Sequence, residues 1–219
     1  MDEELTEAIK PSRGRRALSP TIIDTLCRGT LTSSISCSLC GFKSSREERF
    51  RELTLNIPPS QVTTSRPQRN SKSKAPMSSV PDLIRHFFCP EPLSGYRCEG
   101  CKRADKCQKE VSITAAPKLL CLVVNRFFWS SRGRAKINTI VTYPLTLAIP
   151  HCQSEFKLKS AVLHHGYSLN SGHYTALTYN DMKEQWFHCN DNTVQPITTE
   201  AVLKKADNSA YILFYFRED

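Results

Sequence analysis

Two Cys-x-x-Cys pairs, Cys37-Ser38-Leu39-Cys40 and Cys98-Glu99-Gly100-Cys101, constrain this chain more than any other feature of its sequence. A two-residue gap lets both thiolates of a pair turn toward one ion. Two pairs complete a tetrahedral four-thiolate shell with Zn–S bonds of ~2.3 Å. Each pair sits in a turn-prone stretch with a glycine, Gly41 or Gly100. The separation between the pairs exceeds that of compact zinc ribbons, so other elements must lie between the two knuckles. The competing reading is four reduced cysteines in ordinary packing. A zinc held here is structural, because protein fills all four positions and leaves none for water or substrate. Cys107 could substitute as a ligand, though its spacing from Cys101 is less regular. Cys27, Cys89, Cys121, Cys152 and Cys189 read as small buried hydrophobes.

The surrounding composition supports metal ligation over disulfides. The N-terminus, Met1-Asp2-Glu3-Glu4-Leu5, is acidic and lacks the apolar core of a secretory signal. The expected compartment is therefore cytoplasmic or nuclear, where thiols stay reduced. No run of about 18 apolar residues marks a membrane span. The net charge of +9 raises nucleic acid as a partner. The basic residues, however, cluster in loop-like stretches such as 65–74 and 130–136, without interleaved aromatics for base stacking. Neither nucleic acid nor membrane is the expected partner.

Apolar spacing predicts a mostly antiparallel β protein with few helices. Leu53, Leu55 and Ile57 alternate as in a one-sided strand. Further strands are predicted over 109–113, 119–127, 140–147, 156–164, 174–179 and 211–216. The doubly apolar run 119–124 reads as a central strand. Residues 80–88 have helical spacing with Pro81 near the start. Residues 199–205 fit one or two helical turns capped by Thr198 or Thr199. The stretch 60–79, rich in Ser, Thr, Pro, Lys and Arg, reads as a flexible insertion. Residues 20–26 fit a short helix or the approach to a strand, and 1–26 as a whole form a weakly ordered arm.

The C-terminal third carries His164-His165-Gly166-Tyr167-Ser168-Leu169-Asn170-Ser171-Gly172-His173-Tyr174. Gly172 permits a tight backbone approach just before His173. A histidine at the start of a strand, under a Gly/Ser loop, suits a general base beside a substrate channel. Asn190 or Asp191, shortly downstream, could accept the second ring N–H and fix the tautomer, as a third triad member does. On pattern alone, a structural Gly-His is the simpler reading.

Taken in order, these motifs resemble the ubiquitin-specific proteases, papain-like cysteine deubiquitinases with a thumb, palm and fingers. The cysteine pairs resemble the zinc knuckles of the fingers. Leu122-Val123-Val124-Asn125-Arg126-Phe127 resembles the family's strand ending in Arg-Phe. Gly172-His173-Tyr174 with Trp186 and Asn190-Asp191 resembles its histidine box, and 210–215 its closing strand. The resemblance covers the C-terminal two thirds of the catalytic domain. It implies an α+β papain-like cysteine peptidase fold, mostly antiparallel β, with the helical thumb largely missing. Residues 27–112 then correspond to a fingers-like zinc-ribbon region and 113–219 to a palm-like region.

The resemblance further implies that His173 is the general base, that Asn190 orients it and that Asp191 assists. Gly172 and Tyr174 line the channel for the ubiquitin tail, and the loops 128–136 and 166–171 close over it. The implied reaction is thiol-dependent hydrolysis of the isopeptide bond at the C-terminal glycine of ubiquitin. The partner is ubiquitin or a ubiquitinated protein, and the cofactor is structural zinc on Cys37, Cys40, Cys98 and Cys101. Nothing in residues 1–36 resembles the family's N-terminal cysteine box, so the chain alone is expected to be inactive. Cys27 and Cys189 replace residues that are usually aromatic in the family. A non-catalytic ubiquitin-binding module is the second expectation.

Overall fold

Strands dominate, as the alternating apolar residues predict. The computed structural model describes residues 21–62, 77–130, 133–166, 171–205 and 209–218. The first elements are α1 (Ile22–Cys27), β1 (Gly29–Cys37), β2 (Lys43–Phe50), β3 (Leu53–Asn56), β4 (Met77–Ser79), α2 (Val80–Phe88) and β5 (Glu91–Pro92). Next come β6 (Cys107–Ala115), β7 (Leu119–Asn125), β8 (Phe127–Ser130), β9 (Gly133–Lys136), β10 (Ile140–Thr142) and β11 (Thr146–Ala148). The chain continues with β12 (Glu155–His165), β13 (His173–Asn180), β14 (Gln185–Asn190), β15 (Thr193–Ile197), α3 (Thr199–Lys204) and β16 (Ala210–Arg217). No helix among the described residues is long and apolar enough to cross a membrane.

Two sheets carry the architecture. The larger has the order β15-β14-β13-β12-β16-β7-β3, with β11 also paired to β12. The smaller has the order β2-β1-β6-β5. Pairing is antiparallel except for β3 with β7 and β4 with β10. β7 lies inside the larger sheet, and its Leu120, Leu122 and Val124 are fully buried. They join Leu55, Phe156, Ala161, Leu163, Leu213 and Tyr215 in one core. Burying each such large side chain stabilises the fold by ~1.5–3 kcal/mol.

Helix α2 covers this core. The Ser79 hydroxyl caps it by accepting from the Asp82 N–H, and Pro81 supplies a fixed φ in the first turn. Val80, Leu83, Ile84 and Phe88 recur at helical spacing on the buried face. Thus β3 and α2, both within the 27–112 stretch, serve the core of the larger sheet.

At the N-terminal end of the described chain, α1 is a helix with a capping box between Thr21 and Asp24. Residues 1–20 lie outside the described residues. So do residues 63–76 of the predicted insertion, whose ends form a 3-10 turn at Pro59–Gln61 and strand β4. β2 escaped the sequence reading because KSSREERF has no apolar alternation. It is an exposed edge strand whose order comes from backbone pairing with β1. Cys89 is exposed, Cys121, Cys152 and Cys189 are half-buried, and of the five expected hydrophobic cysteines only Cys27 is buried.

Candidate functional sites

The two cysteine knuckles are built alike. The Cys37 N–H donates to the Phe42 carbonyl at 2.9 Å, and the Gly41 N–H donates back to the Cys37 carbonyl at 3.1 Å. In the second knuckle, the Cys98 N–H donates to Arg103 and the Lys102 N–H to Cys98, both at 2.9 Å. Each turn closes on a left-handed residue, Gly41 at φ 70° and Lys102 at φ 59°. Backbone N–H groups then face the thiols. Those of Cys40 and Leu39 hold the Cys37 thiol down at about 6. That of Cys101 lowers Cys98.

The four sulfurs meet. Cys37 Sγ and Cys101 Sγ are 3.8 Å apart, and Cys40 Sγ and Cys98 Sγ are 3.6 Å apart. All four lie within 4.8 Å of one another. A tetrahedron with ~2.3 Å metal–sulfur bonds has edges of ~3.8 Å, so the cluster has the size and donor set of a four-thiolate zinc site. Cys107 packs beside Cys37 and Cys98 but stands outside this group of four.

At the far C-terminal part of the chain, His173 opens β13 opposite His165, the last residue of β12. The β13–β14 pairing sets Ala176 against Cys189, which places Asn190 diagonally across from His173 on the same face. There His173 Nε2 meets Asn190 Oδ1 at 2.5 Å. Asn190 Oδ1 only accepts, so Nε2 carries the proton and Nδ1 keeps its lone pair. Asp191, at φ 49° in the following turn, is 3.9 Å from the same nitrogen. Its side chain is 78% exposed, so this contact is weak in water. The His173 side chain is 47% exposed and open to an incoming group.

The opposite face carries His164 and Tyr174, whose rings lie 4.7 Å apart and pack near Phe127 and Tyr211. Strand alternation separates Tyr174 from His173, although they are neighbours in sequence. Gly172 crosses over His164 so closely that a Cβ would stand 2.1 Å from Nε2.

These two sites sit on a fold with known relatives. A family model described as ubiquitin carboxyl-terminal hydrolase matches residues 3–215. The chain belongs to that family. Its α+β architecture is the papain-like fold of ubiquitin-specific protease catalytic domains. Within the family it is 34% identical over 209 residues to human ubiquitin carboxyl-terminal hydrolase 3, covering 89% of this chain and 39% of the relative. It is 33% identical over 227 residues to Xenopus laevis ubiquitin carboxyl-terminal hydrolase 44-A, covering 95% and 31%. Among solved structures, it matches the SAGA Ubp8/Sgf11/Sus1/Sgf73 module bound to ubiquitin aldehyde with a TM-score of 0.75 at 25% identity. That match covers 93% of this chain and 44% of the solved one. The module bound to monoubiquitin matches at 0.74 and 27%, covering 90% and 42%. The chain thus spans less than half the length of these relatives.

In this family member the sequence reading missed the groups that hold the histidine end in place. Lys136, expected on a solvated loop, is 2% exposed. Its ammonium donates to the carbonyls of His164 at 2.8 Å and Gly166 at 2.7 Å, tying the end of β9 to the end of β12. Arg126 is fully buried and donates to the carbonyls of Ala210, Ile137 and Thr139. Ile137 and Thr139 lie in the short connection between β9 and β10, and Ala210 opens β16, so one guanidinium ties three segments together. No spacing in the sequence marks a cation for that use.

Proposed function

We propose that this chain supplies the histidine–asparagine half of a thiol-dependent hydrolase that cleaves the isopeptide bond after the C-terminal glycine of ubiquitin. The 2.5 Å hydrogen bond from His173 Nε2 to Asn190 carries the reading. It leaves Nδ1 as the base toward an approaching thiol. Nδ1 takes the thiol proton, and the thiolate attacks the glycine carbonyl. The imidazolium then returns the proton to the leaving lysine amine. In the second half, Nδ1 accepts a proton from the water that cleaves the thioester. Asn190 holds the ring through both steps, with Asp191 assisting. Gly172 and Tyr174 contact the ubiquitin tail. The ubiquitin bound in the Ubp8 modules supports this choice of substrate.

Cys37, Cys40, Cys98 and Cys101 would hold a zinc ion, which would tie the two knuckles together and stabilise the smaller sheet without a part in proton transfer.

A second reading, reversible ubiquitin binding without chemistry, is favoured by one observation. None of the ten cysteines hydrogen-bonds to His173 among the described residues. We infer that the chain alone lacks a competent nucleophile. Ubiquitin carrying a C-terminal electrophile tests both points. The expected result is reversible binding of ubiquitin with no covalent adduct. Absence of binding would overturn the ubiquitin reading. An adduct would overturn the inferred inactivity and locate the nucleophile by mapping.

A further inference from the structure

A fifth thiol stands beside the metal cluster, and the strand register says how it can react. Cys37, at the end of β1, is paired with Cys107, at the start of β6. On the next rung, the Ser38 N–H donates to the Lys106 carbonyl at 2.9 Å. Antiparallel rungs alternate, so Cys37 and Cys107 form a non-hydrogen-bonded pair. Their other bonds agree with this. The Cys37 N–H points away from β6 to Phe42, and the Cys107 carbonyl points away from β1 to Leu93. In such pairs the Cα atoms lie ~4.5 Å apart and the side chains stand on one face. That separation falls within the range a disulfide spans.

Two more observations bear on reactivity. Cys107 packs against Cys37 and Cys98 in a small buried cluster, yet it is outside the set of four ligands. Cys37 and Cys107, each only 4% exposed, both line one surface cavity of about 430 Å³, together with Ser36, Lys43, Asp105 and Lys106. That cavity brings solvent, and with it a small oxidant, to the strand ends that carry a ligand cysteine and a non-ligand cysteine side by side.

We infer that Cys37 and Cys107 form an oxidisable cross-strand pair, whose disulfide removes one ligand from the metal and releases it. The oxidant is a hydroperoxide. The Cys37 thiolate attacks the O–O bond, which breaks as an S–O bond forms, giving a sulfenic acid and an alkoxide or hydroxide. The Cys107 sulfur then attacks the sulfenic sulfur. An S–S bond forms, the S–O bond breaks, and the departing hydroxide takes the Cys107 proton to leave as water. Two electrons pass from the two sulfurs to the peroxide. Only Cys40, Cys98 and Cys101 remain, one fewer than a closed zinc site requires.

The test treats the zinc-loaded chain with hydrogen peroxide. Released metal is followed with a chromogenic indicator, and disulfides are mapped by mass spectrometry of a non-reduced digest. Expected is release of about one equivalent of zinc with a Cys37–Cys107 crosslink. Cys107→Ala should bind zinc as the parent does, lose the crosslink and release metal more slowly. A map showing only disulfides among the four ligands would overturn the inference. So would release from Cys107→Ala at the parent rate. Should that variant fail to fold, the disulfide map of the parent decides alone. A chain that never binds zinc still reports through the crosslink, which separates this inference from the metal assignment.

Discussion

Replacing Gly172 with alanine tests whether the sheet end carrying His173 is built around a missing side chain. A Cβ at this position would stand 2.1 Å from His164 Nε2 and 2.6 Å from the His165 carbonyl oxygen. Non-bonded heavy atoms settle near ~3.5–4.0 Å, so both approaches are strongly repulsive. The His164 ring has little room to retreat. It is 4% exposed, lies 4.7 Å from the Tyr174 ring and abuts Phe127 at 6.1 Å. The carbonyl contact is with backbone, and only a shift of the β12 end relieves it. Overpacking of this kind costs ~1–3 kcal/mol. For a domain of this size, ~2 kcal/mol lowers Tm by roughly 4–8 °C. Thermal unfolding followed by far-UV circular dichroism measures it. A Tm within about 1 °C of the parent would refute the reasoning. Adding His164→Ala removes one of the two clashes, so the double variant should lose less stability than the sum of the singles. Strict additivity would show that Gly172 does not accommodate this ring.

In a chain that carries the nucleophile, His173→Ala should abolish hydrolysis of a fluorogenic ubiquitin amide. Asn190→Ala should cost less, because other groups orient the ring in part. Retained turnover in His173→Ala would end the assignment of the base. Chelation, or Cys98→Ser, should remove the metal and abolish amide-exchange protection near Cys37 and Cys98 while leaving that of β7 intact. Equal loss in both regions would contradict a metal that stabilises the smaller sheet locally. Burial, and then the Lys136 charge, holds the His164 ring below the ordinary histidine pKa. The unfolded chain takes up this proton near pH ~6.5, while the folded chain does so only at lower pH. The stabilisation from the neutral ring is therefore complete above ~6.5 and is lost as pH falls from there toward the folded value. His164→Gln should flatten the fall of Tm between about pH 7 and 5.

What the sequence reveals depends on whether a residue's environment is set by local spacing. β12 and β13 announce themselves because one face of each is buried, and period-two alternation records that, whereas β7 and β16 show as continuous apolar runs of strands inside the larger sheet. The His173–Asn190 pair was legible for a related reason. Both residues end strands of a single hairpin, so their meeting needs only a short-range register. The parallel pairing of β3 with β7 brings together Leu55 and Val124, far apart in the chain, and no local pattern encodes it. Lys136 and Arg126 were illegible because each satisfies backbone carbonyls of segments distant in sequence. The loop-like stretch around Lys136 suggested solvent, nothing in the spacing marked Arg126 as an internal donor, and the carbonyls that hold both cations converge only in the folded chain.

The same distinction explains why the cysteine pairs are the strongest signal of all. β1 and β6 run the length of the smaller sheet, with buried residues mainly toward their ends. At one end Ile113, with Leu31, Phe50 and Val111 packed beside it, joins the main core. At the other, the only buried side chains in the small cluster are Cys37, Cys98 and Cys107, with Ile35, Phe42, Leu93 and Tyr96 partly covered. So few apolar groups cannot offset the entropy of ordering two knuckles and their turns. Four sulfur–metal bonds can, and they demand a spacing that chance rarely supplies. The fold therefore writes its metal site plainly into the sequence because the far end of this sheet has no core to hide it in.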